Sequence, residues 1–201
     1  MTFNPDLHHR HSIRLLNYDY AQAGAYFVTV CTWQRGCLFG EIVNGEMVLN
    51  EFGRVVDTVY CRLIEHFTNI NLDEYSIMPN HFHAIILIQD NVGAKQDSPA
   101  LPAFDHRGTR AKHDNTVLSP LHGTMPGSIG SIIQNFKSVT TRKINQIRTN
   151  PGCPVWQRNY YERVIRNEHE LTRAREYIVN NPLKWELDRE NPVNTHTNTG
   201  T

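Results

Sequence analysis

The sequence has no excess charge of either sign: across 201 residues, twenty Lys and Arg balance twenty Asp and Glu. A chain coated in positive charge is thereby excluded, and any role with nucleic acid has to rest on local clusters. Cysteine is scarce. Cys31, Cys37, Cys61 and Cys153 have the spacing of neither a zinc knuckle nor a redox pair, and they are too sparse for a disulfide scaffold, so free thiols in a reducing compartment are expected. Long apolar runs are missing too. The longest aliphatic stretch, residues 84–88, is far too short to span a bilayer, and the opening MTFNPDLHHRHSIR has no apolar signal-peptide core. These absences lead us to expect a soluble, cytoplasmic protein with no membrane partner. No G-x-x-x-x-G-K-[ST] loop is present, which removes the commonest nucleoside-triphosphate cradle.

What is present alternates between strand and helix signals. Residues 25–33, AYFVTVCTW, are β-branched and aromatic and predict a strand buried on both faces. In GEIVNGEMVLN, Asn44 and Gly45 separate two short apolar runs; both suit the positive φ of a type I′ turn, so a tight hairpin is predicted. Phe52, Val55, Val56, Val59, Leu63 and Phe67 then recur at spacings of three and four behind Asn50, a helix with its N-cap. Two strands, 71–78 and 81–88, are parted by Pro79 and Asn80.

Residues 92–127 hold four prolines, four glycines and one aromatic, Phe104, and are expected to form a mobile loop. A second helix over 128–148 carries Ile129, Ile132, Ile133, Phe136, Val139 and Ile147. A strand over 155–165 follows. Asn167 with Glu170 reads as a capping box for a last helix, ended by Pro182. The tail 189–201 is polar.

Removing the hairpin and the last helix from this order leaves βαββαβ, a ferredoxin-like arrangement. The expected class is thus α+β: an antiparallel sheet with helices on one face, an N-terminal hairpin insertion and a C-terminal helix, forming one domain over 1–188.

His81 and His83 flank Phe82. Side chains two apart on a strand share a face, with Cα atoms roughly 6.6 Å apart, which lets two imidazoles reach one ion while Phe82, Ala84 and Ile86 enter a core. Two histidines merely satisfied by hydrogen bonds are the competing reading of this pattern. In the last helix, Tyr177 and Asn181 are four apart and stack on one face, placing a phenol and an amide oxygen together. Tyr160 and Tyr161 are rivals for any role of a phenol, and spacing does not choose among the three. Residues 134–148 contain Lys137, Arg142, Lys143 and Arg148 and no acidic residue, so either a phosphate-binding or an ordinary solvated face fits. Arg10, Arg14, Arg158, Arg163 and Arg166 are further candidates for DNA contact. Trp156 and Tyr160 are candidates for stacking on unpaired bases, with packing in the core as the commoner reading of such aromatics.

The segments AYFVTVCTW, FGEIVNGEMVLNEFG, MPNHFHAIILI, NFKSVTTRKIN, VWQRNYYERVIRNE and YIVNNP, in this order, resemble transposases of the single-tyrosine HUH superfamily, in particular the REP-associated tyrosine transposases and their insertion-sequence relatives. The likeness covers about residues 8–188, apart from the longer loop at 92–127. It implies a metal-dependent strand transferase acting on single-stranded DNA beside hairpins, with Mg²⁺ or Mn²⁺ held by His81, His83 and Asn181, Tyr177 as nucleophile, and a monomeric or homodimeric enzyme. Two other readings compete: a non-catalytic hairpin-DNA-binding module derived from a transposase, and a zinc hydrolase needing a further ligand such as Asp73 or Glu74.

Overall fold

A computed structural model describes residues 18–90, 125–188 and 191–195. Arg10 and Arg14, the loop expected at 92–127 except for its last three residues, and most of the tail lie outside the described residues. In chain order the elements are β1 (Gly24–Cys31), β2 (Gly40–Val43), β3 (Glu46–Leu49), α1 (Glu51–Cys61), α2 (Leu63–His66), β4 (Ile70–Met78), β5 (His81–Ile88), α3 (Ile129–Ile147), β6 (Tyr161–Ile165), α4 (Glu168–Val179) and a short α5 (Pro192–Thr195). The main sheet runs β4-β5-β1-β6, antiparallel throughout, which is the expected ferredoxin-like order. No described helix is long and apolar enough to cross a membrane.

Strand parity divides the sheet into two faces. Tyr26, Val28 and Val30 of β1 and Phe82, Ala84 and Ile86 of β5 share a core with Val56 and Tyr60 of α1 and Ile132, Ile133 and Phe136 of α3. On the opposite face, Ala25, Ile85 and Ile165 meet Leu171 and Ile178 of α4. Because His81 and His83 have the same parity as Ile85, they lie on the α4 side. Phe136 is fully buried, with its ring 5.0 Å from Phe82, 5.6 Å from Trp156 and 6.2 Å from Tyr60 (centroid to centroid). Phe136→Ala is expected to destabilise the fold by roughly 3–5 kcal/mol, read from the denaturant midpoint.

Local chemistry sets most boundaries. Asn50 and Ser128 cap α1 and α3 by accepting from Gly53 N and Ser131 N. Asn44 and Gly45 have φ of 53° and 79°, as the turn requires. A Cβ on Gly45 would stand 2.7 Å from Leu183 Cδ2, so the hairpin tip presses on the segment that follows α4.

Several expectations need correction. The helix expected through Phe67 breaks at Arg62, giving α1 and α2. The strand expected over 155–165 begins only at Tyr161; before it, Trp156 makes a single bridge to Thr32. On α3 the buried stripe runs through Ile144, whereas Ile147 is exposed. The last helix does end where proline was expected to end it, at Val179 with Asn180 as C-cap; Asn181, although it precedes proline, keeps helical dihedrals (φ −61°, ψ −45°), and a 3₁₀ turn over Pro182–Leu187 follows.

Candidate active site

The two histidines begin β5 directly after the turn at Pro79 and Asn80. Both are buried, their ring centroids 4.6 Å apart. His81 Nδ1 is 2.8 Å from Asn80 Oδ1, and because an amide oxygen only accepts, this nitrogen carries the proton. His83 Nδ1 is 2.8 Å from Thr29 Oγ1, its cross-strand partner on β1. Burial pushes the His81 imidazolium down to about 4, against a smaller pull upward from Asp188 and a further push downward from Arg35. Burial and the neighbouring His81 hold His83 well below its ordinary value. Both rings are therefore neutral at pH 7. With its Nδ1 protonated, His81 turns a lone pair outward on Nε2.

On α4, Tyr177 sets its ring edge against His83, centroids 5.2 Å apart, and against Phe27, 5.9 Å apart, while remaining 46% exposed. One turn later Asn181 is buried. Among the described residues three buried side-chain atoms lack any hydrogen-bond partner: His81 Nε2, His83 Nε2 and Asn181 Oδ1. An orphaned buried polar atom costs about 1–3 kcal/mol. The set is two imidazole nitrogens and one amide oxygen, all of types able to donate a lone pair, so its chemistry fits a cation. α4 is anchored over this face by Arg175, whose Nε donates to Asp73 Oδ1 of β4 at 2.8 Å.

That ion pair also bears on Asp73 as a further metal ligand: its carboxylate is held by Arg175, and Glu74 is exposed. No group of three or more His, Cys, Asp or Glu suited to a metal occurs among the described residues. Of the rival phenols, Tyr160 donates its hydroxyl to Glu162 Oε2 at 2.8 Å and packs against the core of the other face. Tyr161 is exposed, its ring 6.4 Å from Phe27; it pairs across the sheet with Thr29, which in turn pairs with His83. It therefore shares the histidine face.

The basic candidates separate. Lys137 Nζ donates to the carbonyls of Gln157 (2.6 Å) and Arg158 (3.0 Å), and burial lowers its pKa, so it ties α3 to the segment before β6. Arg148, the C-cap residue of α3, donates its side chain to Asn145 Oδ1 (2.8 Å) and to the carbonyl of Cys153 (2.7 Å). Both side chains, candidates for phosphate contact, are engaged in bonds within the fold. Arg166 is exposed beyond β6, and Arg163 pairs with Glu170 at 3.1 Å. Arg142 and Arg158 are exposed and line an open cleft of about 1010 Å³ between α3 and residues 149–160, with no carboxylate in its lining. Trp156 takes the core reading over base stacking: it is buried and donates its indole N–H to Thr140 Oγ1 at 2.8 Å.

Sequence reasoning passed over Asn80 and Thr29, the partners that orient the histidines, and Trp185, whose ring lies 6.0 Å from His81. A polar residue in a turn before a His-x-His pair was the available signal for Asn80; nothing local marked the other two.

No protein-family model matches the chain. An uncharacterised protein of Haemophilus influenzae is 40% identical over 190 residues, spanning 93% of this chain and 96% of the relative. A solved REP-associated tyrosine transposase bound to a REP hairpin superposes with a TM-score of 0.53 at 14% identity, over 86% of this chain and 74% of that one. The chain belongs to the family of the Haemophilus influenzae protein, and its fold is that of the REP-associated tyrosine transposase.

Proposed function

We propose that the chain is a transposase of the single-tyrosine HUH type: a metal-dependent strand transferase that cuts and rejoins single-stranded DNA beside hairpins through a 5′-phosphotyrosine on Tyr177. The observation that carries this reading is the buried trio of unpartnered donors, His81 Nε2, His83 Nε2 and Asn181 Oδ1, set against an exposed phenol. The fold neighbour holds a REP hairpin, which makes a hairpin with single-stranded flanks the substrate of first choice.

In this reading His81, His83 and Asn181 hold Mg²⁺ or Mn²⁺. Asn80 and Thr29 bond the two Nδ1 atoms and leave each Nε2 to bind the ion it would hold, the usual role of partners behind metal-binding histidines. Ionising a phenol at pH 7 costs about 4 kcal/mol, from a free pKa near 10. A bound dication would lower that cost and draw charge from the scissile phosphate. The Tyr177 oxygen attacks phosphorus; the new P–O bond to tyrosine forms as the bond to O3′ breaks, and the phenolic proton is balanced by the proton gained at O3′. The products are a 5′-phosphotyrosine and a free 3′-OH. Reversal with another 3′-OH rejoins DNA, so no nucleoside triphosphate enters.

The test is incubation with Mn²⁺ and hairpin oligonucleotides bearing single-stranded flanks. A slow, covalent band on a denaturing gel is expected, and chelator should abolish it. Hairpin binding in chelator with no adduct under any divalent metal would instead identify a non-catalytic binding module.

A further inference from the structure

Between β1 and β2 the chain makes a 3₁₀ turn over Trp33–Arg35 in which two consecutive non-glycine residues, Gln34 and Arg35, have φ of 53° and 56°. Left-handed backbone at adjacent side-chain-bearing residues persists only where the surroundings impose it. Here both sides of the turn are tied. Toward the metal face, Asn80 Nδ2 donates to the Arg35 carbonyl at 3.1 Å, while Asn80 Oδ1 is the partner of His81. Thr32 N and Thr32 Oγ1 both donate to the Asn80 carbonyl, each at 2.9 Å. Toward the cleft, Trp33 N donates to the Val155 carbonyl at 2.8 Å and Gln157 N to the Cys31 carbonyl at 2.9 Å. Val155, Trp156 and Gln157 form part of the cleft wall that also carries Arg142 and Arg158.

The turn thus joins two places on opposite sides of the sheet: the cleft beside α3, and the histidine pair under α4. Its side chains are the kind that hold unpaired nucleotides. Trp33 is 49% exposed, although tryptophan is ordinarily well buried, and Arg35 is exposed with its charge felt at His81. An aromatic face followed two residues later by a guanidinium matches a base and its phosphate.

We propose that the Trp33–Arg35 turn is a contact for the unpaired nucleotides that run from DNA held in the α3 cleft to the histidine pair, with Trp33 stacking on a base and Arg35 taking a phosphate. This rests on the strand-transfer reading above and adds to it a route for the single strand. Asn80, bonded to both the turn and His81, makes occupation of the turn and orientation of the metal-facing imidazole one connected event.

The experiment uses the full chain carrying Tyr177→Phe, so that binding is read without covalent capture, and two labelled hairpins identical except for a single-stranded flank. Trp33→Ala is expected to weaken binding of the flanked hairpin by roughly 5- to 150-fold, the range for loss of one stacked base, and that of the flankless hairpin by less than twofold. Arg35→Asn removes the guanidinium while suiting left-handed backbone; it should lower the slope of log affinity against log salt by about 0.7 for the flanked hairpin only, with Arg35→Lys restoring it. Trp33→Phe, which keeps an aromatic face, should bind within about threefold of the parent and guards against misfolding of the alanine variant. The proposal is overturned if Trp33→Ala and Arg35→Asn both bind the flanked hairpin as the parent does, or if the flank adds nothing to parental affinity while the wild-type chain still forms an adduct. Should the wild-type chain neither bind hairpins nor form an adduct, the strand-transfer reading itself fails, and this one with it.

Discussion

Tyr177→Phe is expected to remove the covalent protein–DNA adduct, lowering its rate of formation by roughly four orders of magnitude or more, with hairpin affinity unchanged within about twofold. The size of the effect follows from the chemistry: deleting one oxygen leaves a ring of nearly the same shape, so packing against His83 and Phe27 survives, but no atom remains to bond phosphorus. Tyr177 fits this role because its ring borders His83 and is still half-exposed, open to a phosphate from solvent. Tyr160 is disfavoured by its bond to Glu162 and its packing on the far face. Tyr161 is the serious rival, since it stands exposed on the histidine face. An adduct that survives Tyr177→Phe and disappears in Tyr161→Phe would transfer the nucleophile to β6 and sink the assignment made here.

How far the sequence was legible depended on whether the deciding physics was local. The parity of His81, Phe82 and His83 is a property of any strand, and it correctly separated a histidine face from a core face. Asn44 and Gly45 announced their turn because positive φ is a property of single residues. What stayed illegible is what a distant partner decides. Lys137 and Arg148 carry charge that looks available for phosphate until carbonyls of Gln157, Arg158 and Cys153 are brought beside them by the fold. Trp156 allowed both core packing and base stacking, and its ring contacts with Phe39 and Phe136 select the core. The Trp33–Arg35 turn was hidden for the converse reason: AYFVTVCTW has the composition of an unbroken strand, and only the bonds to Asn80 and Val155 bend its end out of the sheet. As for the site, the four-residue spacing of Tyr177 and Asn181 was readable in the sequence, but the contact of Tyr177 with His83 depends on α4 packing on the sheet, which the Asp73–Arg175 pair and the Leu171 and Ile178 contacts fix.

His81→Ala is expected to abolish adduct formation by at least a hundredfold while leaving hairpin affinity in chelator unchanged, and the same variant should lose the ion itself. Trp185 supplies a readout free of DNA: its ring is 6.0 Å from His81, so a paramagnetic Mn²⁺ held by the histidines would quench its fluorescence. In the wild-type chain the quench should saturate with Mn²⁺ and vanish in Trp185→Phe, which identifies the emitting ring among three tryptophans. In His81→Ala it should be absent, because the ligand set falls to one imidazole and one amide oxygen. Stability gives an independent check. A ligand that binds only the folded chain adds about 2.7 kcal/mol at a hundred times its Kd, so saturating Mn²⁺ should raise the melting temperature of the wild type and not that of the variant. Tight, stoichiometric zinc would point instead to a hydrolytic centre, for which an additional strong ligand is wanting among the described residues. If His81→Ala still cleaves DNA at the wild-type rate, the buried imidazoles are structural, and the three unpartnered atoms need an explanation other than a cation.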